Sequence, residues 1–175
     1  NANIITLSDI QNLEIQRSLF NTSSTFSLID WKVGDSQKYK VSMGFGMEGT
    51  MTKEATKEEG DAVWVKGELN ISGQNDVSEM LIDRNSGKIL KFIHNGKEAS
   101  VPDDKIEIVS TKKETIEVPA GKFSTLHAVA KTKDAKQIDF WVSTRGEVSL
   151  DGTIKVYMDQ GFMKVTMELV SFVKK

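Results

Sequence analysis

The chain has no cysteine, and only two prolines and two histidines stand among its 175 residues. The missing cysteines exclude disulfides, thiol nucleophiles and cysteine-ligated metals, and they leave the compartment open. His94 and His127 show no His-x-x-x-His spacing and no third convergent ligand, so no metal site is expected. No serine sits in a Gly-x-Ser-x-Gly elbow, which removes the usual signature of a serine nucleophile. Gly44-x-Gly46 opens no helix, so it is not a dinucleotide loop. Gly87-Lys88 and Gly121-Lys122 run on into Ile89 and Phe123, not into the Ser or Thr of a phosphate loop. No cofactor is expected.

Charge of one sign is also missing. Lysines and acids intermingle to a net charge of −2, with no basic block that would favour nucleic acid or an anionic membrane surface. No run approaches the roughly 20 apolar residues of a membrane-spanning helix. The opening Asn1-Ala2-Asn3 lacks an initiator methionine, which fits a processed or recloned start and leaves room for a removed signal peptide.

What remains is strand pattern. The 38% hydrophobic and 27% charged fractions suit a large sheet with one polar face, and the length suits a single domain over 1–175. Residues 6–20 carry Leu7, Ile10 and Leu13 at helical spacing, with Ser8 or Asp9 as cap, so 1–30 reads as a helix and connector. From 31 to 175 the chain alternates. Tyr39, Val41, Met43, Phe45 and Met47 predict one long strand with every large apolar group on one face, and Phe45→Ala is then expected to cost about 3–5 kcal/mol. Turn chemistry at 58–61, 73–76, 84–87, 95–96, 119–121, 133–136 and 159–161 cuts the rest into about nine to eleven strands. No helical segment separates them, which argues against a parallel sheet. Such a sheet must close into a barrel, split into a sandwich, or curl beneath a cover, and the N-terminal helix is the obvious cover.

Three motifs narrow this further. Trp31-Lys32-Val33-Gly34-Asp35 leading to Tyr39-Lys40-Val41, the turn Val118-Pro119-Ala120-Gly121-Lys122-Phe123, and Phe140-Trp141-Val142-Ser143 followed by Gly152-Thr153-Ile154-Lys155 resemble a bacterial cell-envelope family of unknown function. That family is similar in fold to the periplasmic lipoprotein carrier and its outer-membrane receptor. The resemblance implies an all-β, lipoprotein-carrier-like open half-barrel of curled antiparallel sheet, lidded by helices, in an exported periplasmic or outer-membrane-associated protein. The chain departs from the pattern at Arg145-Gly146-Glu147-Val148-Ser149-Leu150, where a proline is expected.

The expected function is therefore binding, not catalysis. Tyr39, Val41, Met43, Phe45, Met47, Met80, Phe140, Met158, Met163 and Met167 would line the concave face, and methionine adapts its shape to varied apolar ligands. The expected partner is a lipid, a lipoprotein acyl chain or an apolar segment of an envelope protein. The alternative is a structural or interaction domain whose face is filled by its own side chains. An enzyme on this fold carries the least weight, because fold does not fix function. The carboxylates Glu58, Glu59, Asp61, Asp103 and Asp104 and both histidines read as turn or surface residues.

Overall fold

Alternation, glycine-bearing turns and the absence of helical periodicity between strands fix the main architecture. A computed structural model describes residues 29–101, 107–132 and 135–175. The expected helix over 6–20 lies outside the described residues, as do Asp103 and Asp104. In chain order the strands are β1 (Ser36–Met43), β2 (Glu48–Glu59), β3 (Ala62–Ile71), β4 (Gln74–Asp83), β5 (Ile89–His94), β6 (Lys97–Ala99), β7 (Glu107–Val118), β8 (Gly121–Lys131), β9 (Gln137–Ser143), β10 (Thr153–Asp159) and β11 (Lys164–Val173). They form one open antiparallel sheet in the order β6-β5-β4-β3-β2-β1-β11-β10-β9-β8-β7. Chain neighbours pair except β6 and β7, which form the two edges, and the β1–β11 ladder joins the two halves.

The sheet is rolled. Flat, it would hold β8 and β11 about 14 Å apart across three strand spacings. Yet Ala120 N–H, in the β7–β8 turn, donates to Leu169 O on β11 at 3.0 Å. The inward residues of the strands join one apolar cluster that runs from Phe92 on β5 through Tyr39, Met51 and Leu169 to Phe123 on β8. A smaller patch of Ala62, Trp64 and Leu81 lies apart from it.

One expectation fails here. The strand projected through Phe45 stops at Met43, and Gly44–Gly46 forms a single 3-10 turn that reverses the chain into β2. Met43 N–H closes this turn on Met47 O at 2.8 Å. Phe45 sits at its apex with φ 66° and is 94% exposed. A three-residue turn preserves odd-even spacing, so Met43 and Met47 both still face the cluster while the residue between them leaves it. Period-two patterning cannot distinguish that reversal from a strand running straight on. Glycine on both sides of Phe45 supplied the backbone freedom that made the turn possible.

Candidate functional site

The inner face gathers nine of the ten proposed ligand-face residues. Tyr39, Val41, Met80, Phe140, Met158 and Met167 are 0–1% exposed within the main cluster. Met43, Met47 and Met163 are half-buried and pack on its margin. Phe45 is excluded. The methionines of the margin share one end of the sheet, because β1 and β11 pair Met43 with Val165 and the β1–β2 and β10–β11 turns both lie just beyond that rung. The face is thus packed along its length, with half-buried methionines gathered at one end.

The opposite end is polar inside. Lys53, on β2, projects inward to place Nζ 2.6 Å from Asp151 Oδ2, with both side chains 2% exposed. Gln37 Nε2 donates to Ser149 O at 2.8 Å and to Asp151 Oδ1 at 3.1 Å. Thr153 N–H donates to the same Oδ1 at 2.9 Å. The Tyr39 hydroxyl lies 2.7 Å from Gln37 Oε1 and 2.8 Å from Thr153 O. Burial, followed by the charge of Asp151, pushes the Tyr39 phenol well above its ordinary range, so it stays a donor. Burial works to raise the Asp151 carboxyl too, but Lys53 and the two further donors, Thr153 N–H and Gln37 Nε2, outweigh it and hold the group below its ordinary range. Asp151 also borders a recess of about 360 Å³, lined with it by Val148, Leu150, Lys32 and Lys174 among others. Every polar group of the network named here is matched, which suits a structural plug better than a reactive centre.

A second polar cluster decorates the outer face. Register sets His127 on β8 opposite Lys112 on β7 and Trp141 on β9. Its ring stacks on Trp141 with centroids 4.2 Å apart. Nε2 lies 2.8 Å from Asp139 Oδ2, and Nδ1 lies 2.9 Å from Glu114 Oε2 as an ion-pair contact. Trp141 Nε1–H donates to Glu114 at 2.9 Å, the foremost of the influences that hold the Glu114 carboxyl below its ordinary range. Gln137 Nε2 donates to Asp139 at 2.6 Å, and Lys155 Nζ stands 5.2 Å over the Trp141 ring. Asp139 engages Nε2, whereas the buried Nδ1 makes no hydrogen bond although Glu114 stands 2.9 Å away.

His127, read from the sequence as a surface residue, lies on the outer face of the sheet but is largely covered there by its neighbours. The spacing of 114, 127 and 139 carries no motif; only register brings them together. His94 lies at the β5 end, 3.4 Å from Asp76. Glu58 pairs with Arg84 at 3.1 Å, and Glu59 accepts from Trp64 Nε1 at 3.1 Å. No group of three or more His, Asp or Glu among the described residues is arranged to hold a metal ion. No helix among the described residues is long and apolar enough to cross a membrane.

No family model and no curated protein matches the sequence. Among solved structures, a hypothetical protein of Chlamydia trachomatis is similar at 10% identity and TM-score 0.47, covering 82% of this chain and 88% of its own. A candidate lipoprotein of Parabacteroides distasonis is similar at 12% identity and TM-score 0.41, covering 81% of this chain and 96% of its own.

Proposed function

We propose that the protein is a non-enzymatic binding protein of the bacterial cell envelope, exported to the periplasm or the outer membrane. In this reading it takes an apolar group, a lipid or lipoprotein acyl chain, into the methionine-lined end of its rolled sheet. The supporting observation is the grading of burial along one continuous apolar face, from Tyr39, Val41 and Phe140 inside to half-buried Met43, Met47 and Met163 at the margin. Unbranched thioether side chains at a margin can re-pack around a chain of variable length at small cost. The inner part of the face is already filled, so binding needs only the margin to yield. The motifs around Trp31, Pro119 and Trp141, with their resemblance to an envelope family, supply the location.

The competing reading, partner capture at a strand edge, has less support. Edge strand β6 is three residues long, and edge strand β7 carries a register shift between Ile108 and Ser110 and exposed Lys112 and Lys113. These are the usual guards against edge pairing.

Titration with a fluorescent fatty acid tests the binding reading. Saturable binding that weakens in Met43→Gln, Met47→Gln and Met163→Gln supports it. No binding by the intact chain, together with no lipid in native mass spectra of protein purified from cells, refutes it.

A further inference from the structure

Two aromatic side chains stand outside the fold at one end. Phe45 caps the β1–β2 turn at 94% exposure, and Phe162 lies in the β10–β11 turn at 65%. β1 and β11 are hydrogen-bonded neighbours. From the shared rung of Met43 and Val165, Phe45 lies two residues beyond on one turn and Phe162 three residues before on the other. The two rings therefore crown adjacent hairpins at the same end of the sheet. Each joins the half-buried margin, since Met43 and Met47 flank the first turn and Met163 follows the second.

The backbone holds Phe45 out deliberately far. A bulky residue at φ 66° is a true backbone outlier. A Cβ placed on Gly44 or Gly46 would meet nothing within 4 Å, so the turn stands clear of the rest of the fold.

We propose that this end of the molecule docks on an anionic lipid bilayer, with Phe45 and Phe162 inserted at the interface. Area argues against a second protein. A stable protein interface buries about 800 Å² per partner, and two tip rings of about 150–250 Å² each fall well short. A bilayer needs no complementary shape and accepts small apolar protrusions. Charge agrees. Lys136 reaches the base of the second turn, where a Cβ on Gly161 would lie 3.3 Å from Lys136 Nζ, and exposed Lys164 follows Met163. The sequence has no basic block, but the fold sets these two lysines beside Phe162, where they can meet headgroups as the ring enters. Exposed Glu48, after the first turn, and Asp159, on the rung opposite Lys164 at the base of the second, oppose them. The docking stands independently of acyl-chain binding, although both use the same end.

Flotation of the full chain with vesicles of phosphatidylethanolamine and phosphatidylglycerol at 3:1 tests it. The intact protein should float, Phe45→Ser/Phe162→Ser should lose about tenfold or more in partition, and Lys136→Gln and Lys164→Gln about fivefold each. Phe162→Trp should move its emission to the blue on mixing and be quenched by brominated lipid. Because both rings are exposed, the variants should keep the parent circular dichroism and thermal midpoint. No flotation of the intact chain, or equal flotation of the double serine variant, overturns the proposal. So does a concentration-dependent dimer that the double variant abolishes, which would assign the tips to a second copy. Fatty-acid binding that survives a failed flotation sinks only this proposal and leaves the acyl-chain reading intact.

Discussion

Lys53 and Asp151 meet at 2.6 Å inside the rolled sheet, 98 residues apart in the chain, with both side chains removed from water. A buried pair of this kind adds little net stability over apolar residues of the same shape, but half of it is costly. Lys53→Met leaves the Asp151 charge facing Tyr39 with no cation, and should cost about 3–5 kcal/mol. Adding Asp151→Leu should recover much of that loss. Urea unfolding of the single and double variants measures both; a single-variant loss below about 1 kcal/mol would show the pair to be solvated.

The same carboxyl predicts an acid limb of stability. Its folded pKa lies below the ordinary value of 3.8, so the folded state binds its proton less readily than the unfolded chain does. The stabilisation is complete above about pH 5 and is lost as pH falls through the ordinary value towards the lower folded one. Wild type should therefore lose more stability than Asp151→Asn between pH 5 and pH 2. Parallel loss in the two proteins would place the acid sensitivity in other carboxylates.

Phe45 and Phe140 separate what the sequence could reveal from what it could not. Both fall on apolar positions of an alternating run, yet one is 94% exposed and the other 1%. Phe140→Ala should cost about 3–5 kcal/mol, as a filled core position does. Phe45→Gly should be neutral or stabilise by about 1 kcal/mol, because glycine adopts the left-handed backbone freely. Thermal melts of the two variants measure the contrast; a loss at Phe45→Gly as large as that at Phe140→Ala would contradict the exposed turn.

Strands were legible because alternation is local, and turns were legible because Asn95-Gly96 and Pro119-Ala120-Gly121 carry their own backbone chemistry. The sheet's inner face followed for nine residues out of ten. The polar clusters were not legible, because they depend on register between distant strands. Nothing in the sequence announces that Lys53, mid-strand in β2 and flanked by threonine and glutamate, turns inward to find Asp151 in the β9–β10 connection. Nor does it announce that Glu114 and Asp139 converge on His127 from the two neighbouring strands.

Gly49 exposes a constraint of a different kind. Its φ is not in the left-handed region, but a Cβ there would lie 2.1 Å from Asn70 O and 2.6 Å from Ile71 Cγ1. The contact is with the backbone of β3, so the two strands would have to part. Gly49→Ala should destabilise by about 1–3 kcal/mol despite its better strand propensity. An equivalent Gly46→Ala meets open space and should lose only what its positive φ of 73° imposes.

On the outer face, Trp141 should act on Glu114 through a single hydrogen bond. The indole N–H at 2.9 Å favours the ionised carboxylate and is the foremost lowering influence on it. Trp141→Phe keeps an aromatic ring for His127 to stack on and removes that donor. The Glu114 carboxyl should then titrate at higher pH, nearer the ordinary glutamate value, as followed by the chemical shift of its carboxyl carbon. Lys112 and His127 remain beside Glu114 and continue to lower it, so the return should be incomplete. An unchanged titration would mean that these neighbouring charges, rather than the indole, set the protonation of this carboxylate.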